Sequence, residues 1–144
     1  MGWKQTDVVP ISSTGPTPTI PSSKDGQIKV FQLLRTDTTA TVKAVLPADS
    51  TILGFLIYGV ASNAGTTATI SIGSTVTATE FVNGQDIKTA GGLVIPTATV
   101  NSANIAQTES LPLGSDIQIW AKYAETGGAS SAGGPYKIAI WYVR

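Results

Sequence analysis

The sequence predicts an all-β chain, a sandwich or a barrel, and three observations carry that prediction. Roughly a quarter of the 144 residues are Ser or Thr, and Ala and Gly are also heavy, a mix that favours strands and turns over helices. Turn signals recur every 8–12 residues along most of the chain. No stretch shows the 3.6-residue apolar period of an amphipathic helix, and no longer repeat suggests a propeller or solenoid.

The elements follow in order. Residues 1–26 hold four of the eight prolines, Pro10, Pro16, Pro18 and Pro21, and each biases its predecessor to extended backbone. They read as an extended arm ending in a turn at Asp25-Gly26, followed by a β domain over residues 27–144. The arm carries Trp3, Val8, Val9, Ile11 and Ile20, apolar anchors that a plain disordered tail lacks. Stretched, it spans ~85 Å, well beyond a domain whose radius of gyration is ~13 Å, so it can reach a neighbour. Its ordering entropy exceeds what five apolar side chains return, so it either stays mobile or adds backbone hydrogen bonds to a partner as an extra strand.

The first strands are expected at Ile28–Leu34 and Ala40–Leu46, before a break at Pro47-Ala48-Asp49-Ser50. Ile52–Val60 (ILGFLIYGV) is apolar at both parities, which predicts a strand covered on both faces. Thr67–Gly73 alternates cleanly, with Ala68, Ile70 and Ile72 on one side. Thr75–Val82 reads as a strand or a short helical turn, and Asn83-Gly84 as a turn. Gln85–Thr89, Leu93–Ile95 and Ala103–Ala106 are short strand candidates. Ile117–Ala124 and Tyr136–Val143 are clear strands, separated by GGASSAGG at 127–134, which reads as a flexible loop.

Composition excludes several function classes. The chain has no Cys and no His, which removes thiolate chemistry, Cys-based zinc sites and the commonest metal ligand. Nine basic and nine acidic residues give zero net charge, and only 12% of residues are charged, so the Lys/Arg footprint of nucleic-acid binding is missing. No apolar run of transmembrane length occurs, and the N-terminus lacks the apolar segment of a signal peptide. The nine carboxylates are scattered, and most sit in turn contexts where Asp hydrogen-bonds local backbone. No Ca²⁺ loop, nucleophile elbow or phosphate loop is present. We therefore expect no catalytic residue, no metal and no cofactor.

The aromatic residues are more informative. In Ile117–Ala124 the apolar parity is Ile117, Ile119, Ala121 and Tyr123, which leaves Trp120 on the polar side. In Tyr136–Val143 the set Tyr136, Ile138, Ile140 and Tyr142 leaves Trp141 opposite it. Both tryptophans thus point away from the expected core. Burial under other parts of the chain, an interface hot spot and stacking on sugar rings are the three uses open to them.

The segment from Pro47 to Leu93 resembles the decoration, or cement, proteins of tailed bacteriophage capsids that have a jelly-roll fold. The resemblance lies in four elements. These are the Leu46-Pro47 turn into an apolar strand, the run Gly65-Thr66-Thr67-Ala68-Thr69-Ile70-Ser71-Ile72-Gly73, Glu80-Phe81-Val82, and the turn Thr89-Ala90-Gly91. It covers about a third of the chain directly. It implies a jelly-roll sandwich on the outer capsid surface of a virion, bound to the major capsid protein. It also implies self-association as a homodimer or homotrimer at capsid symmetry axes, with no direct contact to nucleic acid or membrane. Trp3, Val8, Val9, Ile11, Ile20, Trp120 and Trp141 are the candidate interface residues. The alternative is a fibre-tip or lectin-like jelly roll that binds carbohydrate through exposed Trp. A hydrolase is disfavoured by the missing His and the scattered acids.

Overall fold

The computed structural model describes residues 26–89, 92–94 and 115–143. Among them run eight strands: β1 (Gln27–Leu33), β2 (Thr41–Leu46), β3 (Thr51–Gly59), β4 (Thr67–Gly73), β5 (Val82–Asp86), β6 (Gly92–Val94), β7 (Ile117–Thr126) and β8 (Tyr136–Val143). The expected arm and the strand candidate Ala103–Ala106 lie outside the described residues.

The strands form two four-stranded antiparallel sheets, with orders β1-β8-β3-β6 and β2-β7-β4-β5. First therefore pairs with last, second with seventh, third with sixth and fourth with fifth. That nesting is a long antiparallel ribbon rolled into a sandwich, the jelly roll. The fold class expected from sequence is the one observed.

Alternation builds the core. Tyr136, Ile138, Ile140 and Tyr142 of β8 face inward, as do Ile117, Ile119, Ala121 and Tyr123 of β7. They meet Phe55 and Ile57 of β3, Ile70 and Ile72 of β4, and Leu46 of β2 in one apolar cluster. Two ring pairs tie the layers together. Tyr123 stacks on Tyr136 with centroids 6.2 Å apart, and Phe55 on Phe81 at 5.7 Å.

Rolling the ribbon sends alternate connections to opposite ends. The β1–β2, β3–β4, β5–β6 and β7–β8 connections share one end and are bonded to each other there. The Arg35 guanidinium donates to the Ser130 carbonyl, to Ser130 Oγ (3.0 Å) and to the Ser131 carbonyl (3.3 Å). Asn63 Oδ1 accepts from the backbone N–H groups of Ser131 (3.0 Å) and Ala132 (2.8 Å). Lys88 Nζ donates to the Gly65 carbonyl (2.9 Å), and the Ser62 N–H to the Ile87 carbonyl (3.0 Å). The opposite end holds the turns at 47–50 and 74–81, and there Asp116 Oδ1 accepts from the Ala48 N–H (3.0 Å).

Three local expectations need correction, and one open alternative is decided. The Gly-rich segment 127–134 is not a free loop, because Arg35, Asn63 and Glu125 bond it along its length. Asn83-Gly84 is not a hairpin turn but a bulge inside β5. Both residues oppose Ser71, Gly84 takes φ 69°, and its N–H donates to Ser71 Oγ (3.0 Å). The segment before β5 is a turn, and not a strand. Finally, β3 is not covered on both faces, since Leu53 and Tyr58 remain more than half exposed.

Candidate interaction surface

The outer face of the β1-β8-β3-β6 sheet is assembled rung by rung. Ile28 of β1, Trp141 of β8 and Gly54 of β3 share one rung. Val30, Ala139 and Leu56 form the next but one, and Gln32, Lys137 and Tyr58 the one after. A bulge in β3 inserts Leu53 beside Gly54 and turns both toward the same side. The Trp141 indole lies beside Gly54, where an added Cβ would make only an ordinary contact, 3.9 Å from Cε3.

The result is a contiguous apolar face. Ile28 is 57% exposed, Val30 55%, Leu53 58%, Tyr58 59% and Trp141 41%. Isolated exposed apolar residues are ordinary, but five on one sheet face make it a candidate interaction surface. Trp141 thus sits where the alternation put it. Its neighbours on that face were not anticipated, although the two-sided apolarity of β3 was the signal. That pattern predicts burial on both faces, whereas Leu53 and Tyr58 leave one face open.

Trp120 is also outward, but on the other sheet. Its rung neighbours are Val42 and Gly73, and it is half-buried. The 74–81 turn folds against Gly73, where a Cβ would collide with Glu80 and with the Thr79 backbone. Around it the face mixes the exposed Val42 and Val45 of β2 with Gln118, Lys122, Thr67, Thr69 and Thr126. The two tryptophans therefore lie on opposite faces of the sandwich and cannot form one site within a single copy. Trp3, Val8, Val9, Ile11 and Ile20 lie outside the described residues.

Asp37, Glu80, Asp86, Asp116 and Glu125 act as hydrogen-bond acceptors. Asp37 Oδ2 takes the Leu34 N–H (2.7 Å) and Oδ1 pairs with Lys43 Nζ (2.9 Å). Burial pushes Asp37 up, but the Leu34 N–H and Lys43 outweigh it and hold its carboxyl below the ordinary value. Asp86 is lowered by the Thr89 hydroxyl and the Lys88 N–H, and Glu125 by Ser130 and Tyr123. Glu80 is the extreme case. Burial raises it, yet the Thr75 and Thr77 hydroxyls and the Thr79 N–H bring it down to about 2. Such groups are committed anions and poor general acids near neutral pH. Among the described residues, no group of three metal-ligating side chains converges.

No protein-family model matches the chain, and no curated protein does. Among solved structures it is similar to a chain of the "Cyanophage Pam1 capsid asymmetric unit", with a TM-score of 0.57 and 18% sequence identity. The match covers 83% of this chain and 84% of that one. At that identity the likeness is one of fold: this sandwich has the same overall architecture as a chain found in a phage capsid.

Proposed function

We propose that this chain is a structural virion protein that binds the outer surface of a phage capsid and cements neighbouring major capsid protein subunits. The observation that carries the reading is the open apolar face around Trp141. It lies on a fold shared, over most of both chains, with a component of a cyanophage capsid. A face of this kind is stable in water only when small, and a shell lattice supplies a partner that covers it. The locally engaged carboxylates fit a structural role better than a hydrolytic one. Self-association as a dimer or trimer at symmetry axes belongs to the same proposal.

The test is co-sedimentation of the full chain with expanded capsids that lack it. Trp141→Ala should weaken binding about 30-fold, the loss of one central aromatic anchor worth ~2 kcal/mol. Trp120→Ala should leave binding within about twofold. Equal losses, or none from Trp141→Ala, would refute the assignment of the face. Deleting residues 1–24 measures the arm's share separately.

A second reading has one observation in its favour. Trp141 and Tyr58 are both exposed on the same sheet face, as sugar-stacking aromatics are. Glycan-array binding that is lost on either Trp141→Ala or Tyr58→Ala, without capsid binding, would establish it instead.

A further inference from the structure

The two sheets present four edge strands, and they are not equivalent. The β2 edge is broken by a bulge at Lys43, and the β5 edge by the bulge at Asn83-Gly84. Of the β6 edge, three residues lie among those described. Bulges and short lengths are the devices that keep edges from pairing with other chains. Only β1, among the described strands, offers seven residues in uninterrupted register with no strand on its other side. Its residues 27–30 are all exposed. It also borders the apolar face, to which it contributes Ile28 and Val30.

Charge and area choose the partner. Every charged residue on the described strands of this sheet is a lysine, Lys29 on β1 and Lys137 on β8, and both are exposed. A second copy would bring like charge to like charge. Four strands about 4.8 Å apart, averaging about seven described residues, project ~440 Å². Two such faces pressed together fall well short of the ~800 Å² that each partner contributes to a standard interface. A strand added at β1 supplies what the face alone lacks, main-chain hydrogen bonds and further area.

We infer that the edge of β1, open among the described strands, takes up an extended segment of a capsid subunit as a fifth strand of this sheet. The segment would alternate apolar residues, placed beside Ile28 and Val30, with a carboxylate placed beside Lys29. The inference rests on the proposed capsid-binding function and names its seam.

Hydrogen exchange of the full chain, free and bound to capsids, tests it together with Lys29→Glu. On binding, amides of Gln27–Leu33 should gain protection while the β2 and β5 edges stay unchanged. Lys29→Glu should weaken capsid binding about five- to tenfold at low salt, with the difference shrinking at high salt. Lys122→Glu makes the same charge change on the opposite sheet, and should have no such effect. Thermal melts verify that both variants fold. Capsid binding with β1 unprotected, or with both charge reversals equivalent, overturns the inference and leaves the function standing. Protection of β1 that grows with protein concentration in the absence of capsids assigns the edge to a second copy, and also overturns it. Failure of the unaltered protein to bind any capsid removes the function and the inference together.

Discussion

The stacked pair Tyr123 and Tyr136 gives a sharp prediction, because two similar side chains should respond to the same substitution with opposite sign. Tyr136 is 1% exposed, and among the described residues its hydroxyl makes no hydrogen bond of ordinary geometry. Burial pushes its pKa up to about 12, the neighbouring Tyr123 adds to the rise, and Arg35 opposes it. Ser62 lies close enough to oppose the rise as well. Its hydroxyl, however, is committed to Tyr123 Oη (2.8 Å) and to the Ala64 N–H (3.2 Å). A buried unpaired hydroxyl costs ~1–3 kcal/mol. Tyr136→Phe removes that cost and keeps the ring stack, at the expense of a one-atom void worth a few tenths of a kcal/mol. The net expectation is a gain of ~1 kcal/mol, or about 3–4 °C in Tm for a chain of this size. Tyr123→Phe instead breaks bonds to Ser62 and Glu125 and should cost ~2 kcal/mol. Alkaline melts add a second arm. A raised phenol pKa means that its contribution is complete below pH 10 and is lost progressively toward pH 12, a loss Tyr136→Phe will not show. Urea unfolding of both variants at pH 7 is the assay. A Tyr136→Phe protein less stable than the parent would refute the reasoning, since it would require a bonded hydroxyl.

Three further outcomes follow from the geometry. Glu80→Gln should lose ~1 kcal/mol at pH 7: a fall from 4.5 to about 2 corresponds to ~3.4 kcal/mol, and solvent screening of this largely solvated carboxylate removes most of it. Because the folded value is depressed, that stability is present above pH 4.5 and lost as pH falls toward 2, so parent and variant melts should converge in acid. Arg35→Ala should release the 127–134 segment, read as new protease cleavage there and faster amide exchange at Ser131 and Ala132. Gly65→Ala should cost several kcal/mol, since its Cβ would lie 1.8 Å from the Gly127 carbonyl oxygen, whereas Gly54→Ala meets only an ordinary contact and should be near neutral.

What the sequence revealed depended on how local the determining physics was. Strands β4 and β8 fall on the predicted residues, because strict alternation fixes both the extent of a strand and its buried side. The outward parity of both tryptophans followed from the same rule. Asn83-Gly84 misled because a dipeptide that accepts positive φ serves a hairpin turn and a bulge equally well, and the choice between them lies in the partner strand. GGASSAGG misled because its restraints come from Arg35 and Asn63, over sixty residues away in sequence. The open face of β3 was missed for a different reason. Periodicity reports that both sides of a strand are apolar, but not what covers them.

That last point separates folding from function in a testable way. The inner residues of the β1-β8-β3-β6 sheet, Phe31, Leu33, Phe55, Ile57 and the β8 set, already supply its contribution to the core. Ile28 and Leu53 supply nothing to it, since each leaves more than half of its surface in water. The double variant Ile28→Thr, Leu53→Thr keeps β-branched or strand-compatible side chains on a pleated surface, so unfolding free energy should change by no more than ~0.5 kcal/mol. Solubility should rise, because the apolar patch is broken. Capsid binding should fall, as the partner then meets two hydroxyls where apolar contact is needed. Equal loss of stability and binding would mean that the face is covered within the chain itself. An unchanged affinity with unchanged stability would move the interaction to the other side of the sandwich, where Trp120 would be the residue to test next.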